Sequence, residues 1–141
     1  MNSTIIPCLR YRNALDAIDF LCTAFGFERN AVYVNAEQPH LVDHAQLTLG
    51  GGMVMLGSVR DDTPFSQHMI QPDEAGGRET QCPCVIVGDV KAHYDVARSH
   101  GARIVDEYEE KAYGGAGYSA RDPEGHLWYF GSYDPWAPPP A

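Results

Sequence analysis

Few side chains in this chain are placed to do chemistry, and they are scattered. His40 and His44 stand four residues apart, a spacing that joins two imidazoles on a helix but not on a strand or loop, so they read as surface histidines. Cys82-Pro83-Cys84 is too tight for a zinc pair and has no second pair beside it. Cys82 and Cys84 read as small buried hydrophobes, and with Cys8 and Cys22 as free thiols. His126 follows Gly125 at the start of a strand and reads as a turn-capping residue. Glu109 and Glu110 are adjacent rather than facing, the pattern of a solvated loop. No nucleophile elbow, phosphate loop or facing carboxylate pair is present, so these patterns assign no catalytic residue. Were the chain an enzyme, Cys82 or His44 would be its base.

Composition sets the class of partner. Ten Lys and Arg against 19 Asp and Glu leave a formal charge of −9, which argues against a nucleic-acid backbone and favours a neutral or cationic ligand. The acids are spread through loops such as Asp61-Asp62 and Asp106-Glu107, a distribution that also serves solubility. With 44% hydrophobic residues and no apolar run near the ~18 residues of a membrane span, the 141 residues predict one soluble globular domain. No basic region followed by an apolar stretch precedes Ile5, which predicts a cytoplasmic protein with reduced cysteines.

The elements that must position these residues follow from periodicity and turn chemistry. Residues 5–11 predict a first strand, with Pro7 confining it to an edge or a dimer seam. Asn13 is placed as an N-cap, Leu15, Ile18, Cys22 and Phe25 mark one helical face, and Gly26 stops the helix. Strands are expected over 28–34, 44–49 and 53–57, then a long connection over 58–81 with one helical turn near 65–69. A strand over 83–88, a helix from Asp89 to Gly101, and strands over 103–108, 118–121 and 127–130 complete the chain. Asp122-Pro123-Glu124-Gly125 is strong turn chemistry before the last strand, whose Leu127-Trp128-Tyr129-Phe130 is apolar on both faces.

The order repeats. Asn13 and Asp89 lie 76 positions apart, and the Gly-Ser pairs closing the fourth and last strands begin at Gly57 and Gly131, 74 positions apart. The expectation is an α+β chain of two βαβββ modules, 4–58 and 82–133, joined by a linker over 59–81.

These paired modules, with Ala24-Phe25-Gly26-Phe27 at the first helix end and Arg121-Asp122-Pro123-Glu124-Gly125-His126-Leu127-Trp128 before the last strand, resemble the vicinal oxygen chelate superfamily. That superfamily includes glyoxalase I, bleomycin-resistance proteins, fosfomycin-resistance enzymes and extradiol dioxygenases. The resemblance implies a curved, cup-shaped mixed sheet with helices on its outer face. In metal-dependent members a divalent ion sits in the cup, held by His, Gln or Glu from four strands. The matching positions here are Ile6, Met55, Cys82 and Tyr129, none of them a usual donor. The resemblance therefore implies no metal and no cofactor.

Period-two alternation from those positions puts Ile6, Cys8, Arg10, His44, Gln46, Met53, Met55, Cys82, Cys84, Ile86, Tyr118, Leu127 and Tyr129 on the cup side. A largely apolar cup with a few polar groups fits a small organic ligand, as in the bleomycin-resistance type. Two other readings remain: a glyoxalase-like lyase or isomerase, and a structural dimer with a filled cup. Open sheet edges, which superfamily members usually cover with a second chain, predict a homodimer.

Overall fold

The computed structural model describes residues 2–139. Its first module comprises β1 (Cys8–Tyr11), α1 (Ala14–Phe25), β2 (Glu28–Val34), β3 (Val42–Leu49) and β4 (Gly52–Ser58). The second comprises β5 (Cys84–Ile86), α2 (Val90–Ser99), β6 (Arg103–Glu110), β7 (Ala116–Arg121) and β8 (Leu127–Gly131). The strands form two four-stranded mixed sheets in equivalent orders, β1-β4-β3-β2 and β5-β8-β7-β6. Each first strand runs parallel to the last strand of its module, and the registers match: Cys8 stands opposite Met55 and Cys84 opposite Tyr129. The duplicated α+β architecture expected from the sequence is thus observed.

Pro7 shortens the first strand. Lacking an N–H, it contributes only its carbonyl, which accepts from Met55 N at 2.9 Å, and the ladder begins at Cys8 on the edge of its sheet. The connection holds two 3-10 turns rather than one, Phe65–His68 and Pro72–Ala75. The second is fixed by a reciprocal cap in which Gln71 N donates to Glu74 at 2.8 Å.

Helix α1 buries Ala14, Ala17, Ile18, Leu21, Ala24 and Phe25, a stripe at spacings of three and four. Leu15, expected on that stripe, is 40% exposed instead. Gly26 ends the helix at φ 82°, a conformation that a side chain rarely adopts. Asn13 occupies the N-cap position but makes no side-chain cap. The Glu124 carboxylate, from the other module, instead fixes the entry to the helix, accepting from Arg12 N at 2.6 Å and Asn13 N at 2.9 Å. Helix α2 is capped as expected, with Asp89 accepting from Ala92 N at 3.0 Å.

The two helices pack on each other, and one hydrophobic core spans both modules. Phe25 ends α1 with its ring 4.7 Å from Phe130 and 5.7 Å from Trp128, both on β8. His93 on α2 donates from Nε2 to the Phe25 carbonyl at 2.8 Å, which leaves Nδ1 to accept from the Tyr118 hydroxyl at 2.6 Å. Burial holds His93 below its ordinary pKa, in keeping with this neutral ring. Asp122 is the polar counterpart: its buried carboxylate accepts from Tyr11 Oη, Trp128 Nε1 and the backbone amides of Glu124 and His126. Burial pushes its pKa up while those donors pull against that rise. His126, expected to cap a turn, is buried between Glu79 of the connection and the Arg10 carbonyl, at 2.8 Å from each. Among the described residues no helix is long and apolar enough to cross a membrane.

Candidate ligand-binding faces

Each sheet turns one face to the helices and leaves the other open. On the helix side lie Leu9, Tyr11, Leu47, Val54, Leu56, Trp128 and Phe130, all buried. Both helix-covered faces meet in the shared core, so the open faces point away from it. Two clefts of about 570 and 530 Å³ are lined by other residues, and neither includes a residue expected in the cup.

On the open face of the first sheet, Cys8, Met55 and Gln46 form one row across β1, β4 and β3. Met53 and Ile6 extend the apolar part and are half-buried. Gln46 accepts from Asn30 Nδ2 at 2.7 Å and donates to His44 Nε2 at 3.1 Å, while the His44 ring stacks on Tyr33 at 6.2 Å. Arg10 carries its guanidinium over the Phe65 ring of the connection, 5.7 Å from its centroid. His40 lies apart, exposed in the turn before β3.

The second sheet presents Cys84, Ile86, Leu127 and Tyr129, with Cys82 just before β5. Tyr118 does not join them. It pairs directly with Phe130, and antiparallel partners share a face, so it lies in the core at 1% exposure, bonded to His93. Its position on the open face is taken by Ser119, the direct partner of Tyr129. Ser119 in turn donates to Asp106 Oδ2 at 2.5 Å on β6.

Tyr129 has a platform of its own. Gly117 and Gly131 are cross-strand partners, and the Tyr129 ring lies against both. A Cβ at Gly117 would overlap the Tyr129 hydroxyl, and one at Gly131 would come within 2.9 Å of its ring. The ring therefore lies down on bare backbone and floors this face.

The thiols are all free, and Cys8 is exposed; Cys82 and Cys84 are exposed too, rather than buried as the sequence suggested. Cys82 is exposed as a residue, yet partial burial of its thiol, with Glu79 and Cys84 nearby, pushes its pKa up. That weakens it as a base or nucleophile.

The positions that would supply metal donors carry Ile6, Met55, Cys82 and Tyr129. Two offer no hard donor, and Tyr129 is spent on the glycine platform, so this set does not fit a divalent ion. Among the described residues no three His, Cys, Asp or Glu side chains gather in a metal-binding group.

The fold is a paired-module α+β scaffold with two open sheet faces. Residues 5–130 match the Glyoxalase/Bleomycin resistance protein/Dioxygenase superfamily, and the chain belongs to that family. It is similar to TioX from Micromonospora sp. ML1, at 32% identity and TM-score 0.70, over 92% of this chain and 98% of that one. UcmS2 shares the fold at 18% identity and TM-score 0.70, over 94% and 100% of the two chains. So does a mutant of the fosfomycin resistance protein FosX from Listeria monocytogenes, solved with Mn(II) and 1S,2S-dihydroxypropylphosphonic acid, at 12% identity and TM-score 0.65, over 96% and 94%. No curated protein matches the chain.

Sequence reasoning missed Ser119 and the Gly117–Gly131 platform. The signal was present in the hairpin: pairing Arg121 with Leu127 across the turn also pairs Ser119 with Tyr129 and Tyr118 with Phe130.

Proposed function

We propose that the protein is a metal-independent binder of a small organic molecule, held in a cup that a homodimer completes. The open face of one protomer's first module would stand against the open face of its partner's second module. The observation that carries this reading is the Tyr129 ring laid on Gly117 and Gly131, a flat aromatic floor where metal-dependent relatives place a donor. Met53, Met55, Leu127 and Ile86 supply apolar contact beside it, and His44 and Gln46 supply sparse polar groups. Burial of a flat ligand on these faces contributes on the order of 25 cal/mol per Å² before association costs. The raised Cys82 thiol favours binding over a thiolate-based reaction.

Edge strands β1 and β5 are paired on one side only, which supports a second chain as their cover. Light scattering at tens of micromolar should give a dimer. Titration of Ni²⁺, Zn²⁺ and Mn²⁺ should leave the thermal midpoint unchanged, because a metal selective for the native state must raise it. A monomer, or a large stabilisation by metal that Tyr129→Phe or Cys82→Ser abolishes, would overturn the proposal.

A further inference from the structure

The cleft of about 570 Å³ lies where the connection, the start of α1 and the 122–125 turn meet the ends of β6 and β7. Among the residues lining it are Arg12, Asp73, Arg103, Arg121, Glu124 and Gly125. Its acids are already committed. Asp73 takes both guanidinium nitrogens of Arg12 at 2.9 and 3.0 Å, and Glu124 takes the amides of Arg12 and Asn13.

The other two arginines are not neutralised. Arg103 and Arg121 are direct cross-strand partners on β6 and β7, and among the described residues neither makes a salt bridge. Like charges held opposite each other destabilise an antiparallel pair, and the pair stands without an acidic partner in a chain that has acids in excess by nine. The two side chains converge on the same turn. Arg121 Nη1 donates to the Gly125 carbonyl at 2.8 Å, and Arg103 Nη2 lies 3.8 Å from where a Gly125 Cβ would stand. One donor of Arg121 is thereby used, and the remaining donors of both forks are free to point into the cleft.

We infer that the Arg103–Arg121 pair is a binding site for an oxyanion, a carboxylate or phosphate group on a small molecule. Guanidinium forks match the planar, paired oxygens of such groups, and the bound charge removes the repulsion between the two strands. The site runs against the sign of the whole chain, because local pairing, not net charge, decides what binds at contact distance. The pair lies at the turn end of the second sheet's open face, since Arg121 is the cross-strand partner of Leu127, and binding of a simple anion there does not require the dimer that completes the cup.

The test uses the full chain with inorganic phosphate and, separately, acetate, at ionic strength held constant with sodium chloride. The Gly125 amide and the two arginine Nε–H signals are followed by NMR. Saturable shifts with either anion are expected, and whichever binds more tightly assigns the group as phosphate or carboxylate. Arg103→Gln should weaken binding roughly tenfold, since it removes charge-assisted hydrogen bonds. Arg103→Lys, which keeps the charge and loses the fork, should fall between. Without anion, Arg103→Gln should melt no lower than the parent, because it relieves repulsion. Linear shifts with both anions, or an Arg103→Gln/Arg121→Gln double variant that keeps its fold and binds as the parent does, would overturn the inference.

Discussion

The Tyr11 hydroxyl donates to Asp122 Oδ2 at 2.6 Å, tying the last residue of β1 to the turn that starts the final strand of the other module. Both side chains are almost wholly buried, and burial raises the tyrosine pKa well above its ordinary value, so the hydroxyl keeps its proton. Tyr11→Phe should leave one lone pair of Asp122 unsatisfied. The expected cost is about 1.5–3 kcal/mol, the range for a hydrogen bond to a charged group, measured by urea denaturation. A change within 0.5 kcal/mol, the range of ordinary surface substitutions, would show that the contact does not hold the modules together.

The Phe25 ring is the apolar equivalent of that tie. Because it touches Trp128 and Phe130 across the module boundary, Phe25→Ala should cost roughly 3–5 kcal/mol and lower both modules together in one transition. Two separated transitions in calorimetry would contradict the single shared core.

His93 predicts a pH dependence. Its folded pKa lies below the ordinary 6.5, so the unfolded chain takes up this proton more readily than the folded one. The stability tied to the neutral ring is fully present above about pH 6.5 and is lost as pH falls from there toward the folded pKa. His93→Gln can still donate to Phe25 O and accept from Tyr118 without titrating. Denaturation midpoints measured from pH 8 downward should therefore fall less steeply in that variant; parallel curves would remove His93 as the cause.

Gly117→Ala should displace the Tyr129 ring from its platform. Overpacking of this kind costs typically about 1–3 kcal/mol. In a Tyr129→Ala background the same substitution should cost much less, a coupling that a double-mutant cycle reads directly. Equal costs in the two backgrounds would mean that the ring does not rest there in solution.

Much of the fold was legible because duplication leaves two copies of each signal. Asn13 and Asp89 marked both helix starts, Gly26 and Gly101 both helix ends, and Gly57-Ser58 and Gly131-Ser132 the matching strand ends. What the sequence concealed were partners brought from elsewhere. Asn13 looked like a cap, but its side chain makes no cap bond, and Glu124 from the other module fixes the entry to the helix through the Arg12 and Asn13 amides. Tyr118 alternated onto the cup by counting along its own strand, yet its face is decided by pairing with Phe130 and its hydroxyl by His93 on α2. Alternation placed Cys8 and Cys84 on the face away from the helices, where they stand; what it hid was their exposure, because an apolar strand does not reveal whether its second face is covered.

The central claim is a metal-free cup completed by two copies of the chain, and native mass spectrometry of the freshly purified protein tests it in one measurement. The account predicts a homodimer carrying no stoichiometric divalent metal, with any added mass being an organic molecule that Gly117→Ala weakens or abolishes. A monomer at tens of micromolar, or a dimer holding about one metal ion per cup, would contradict it.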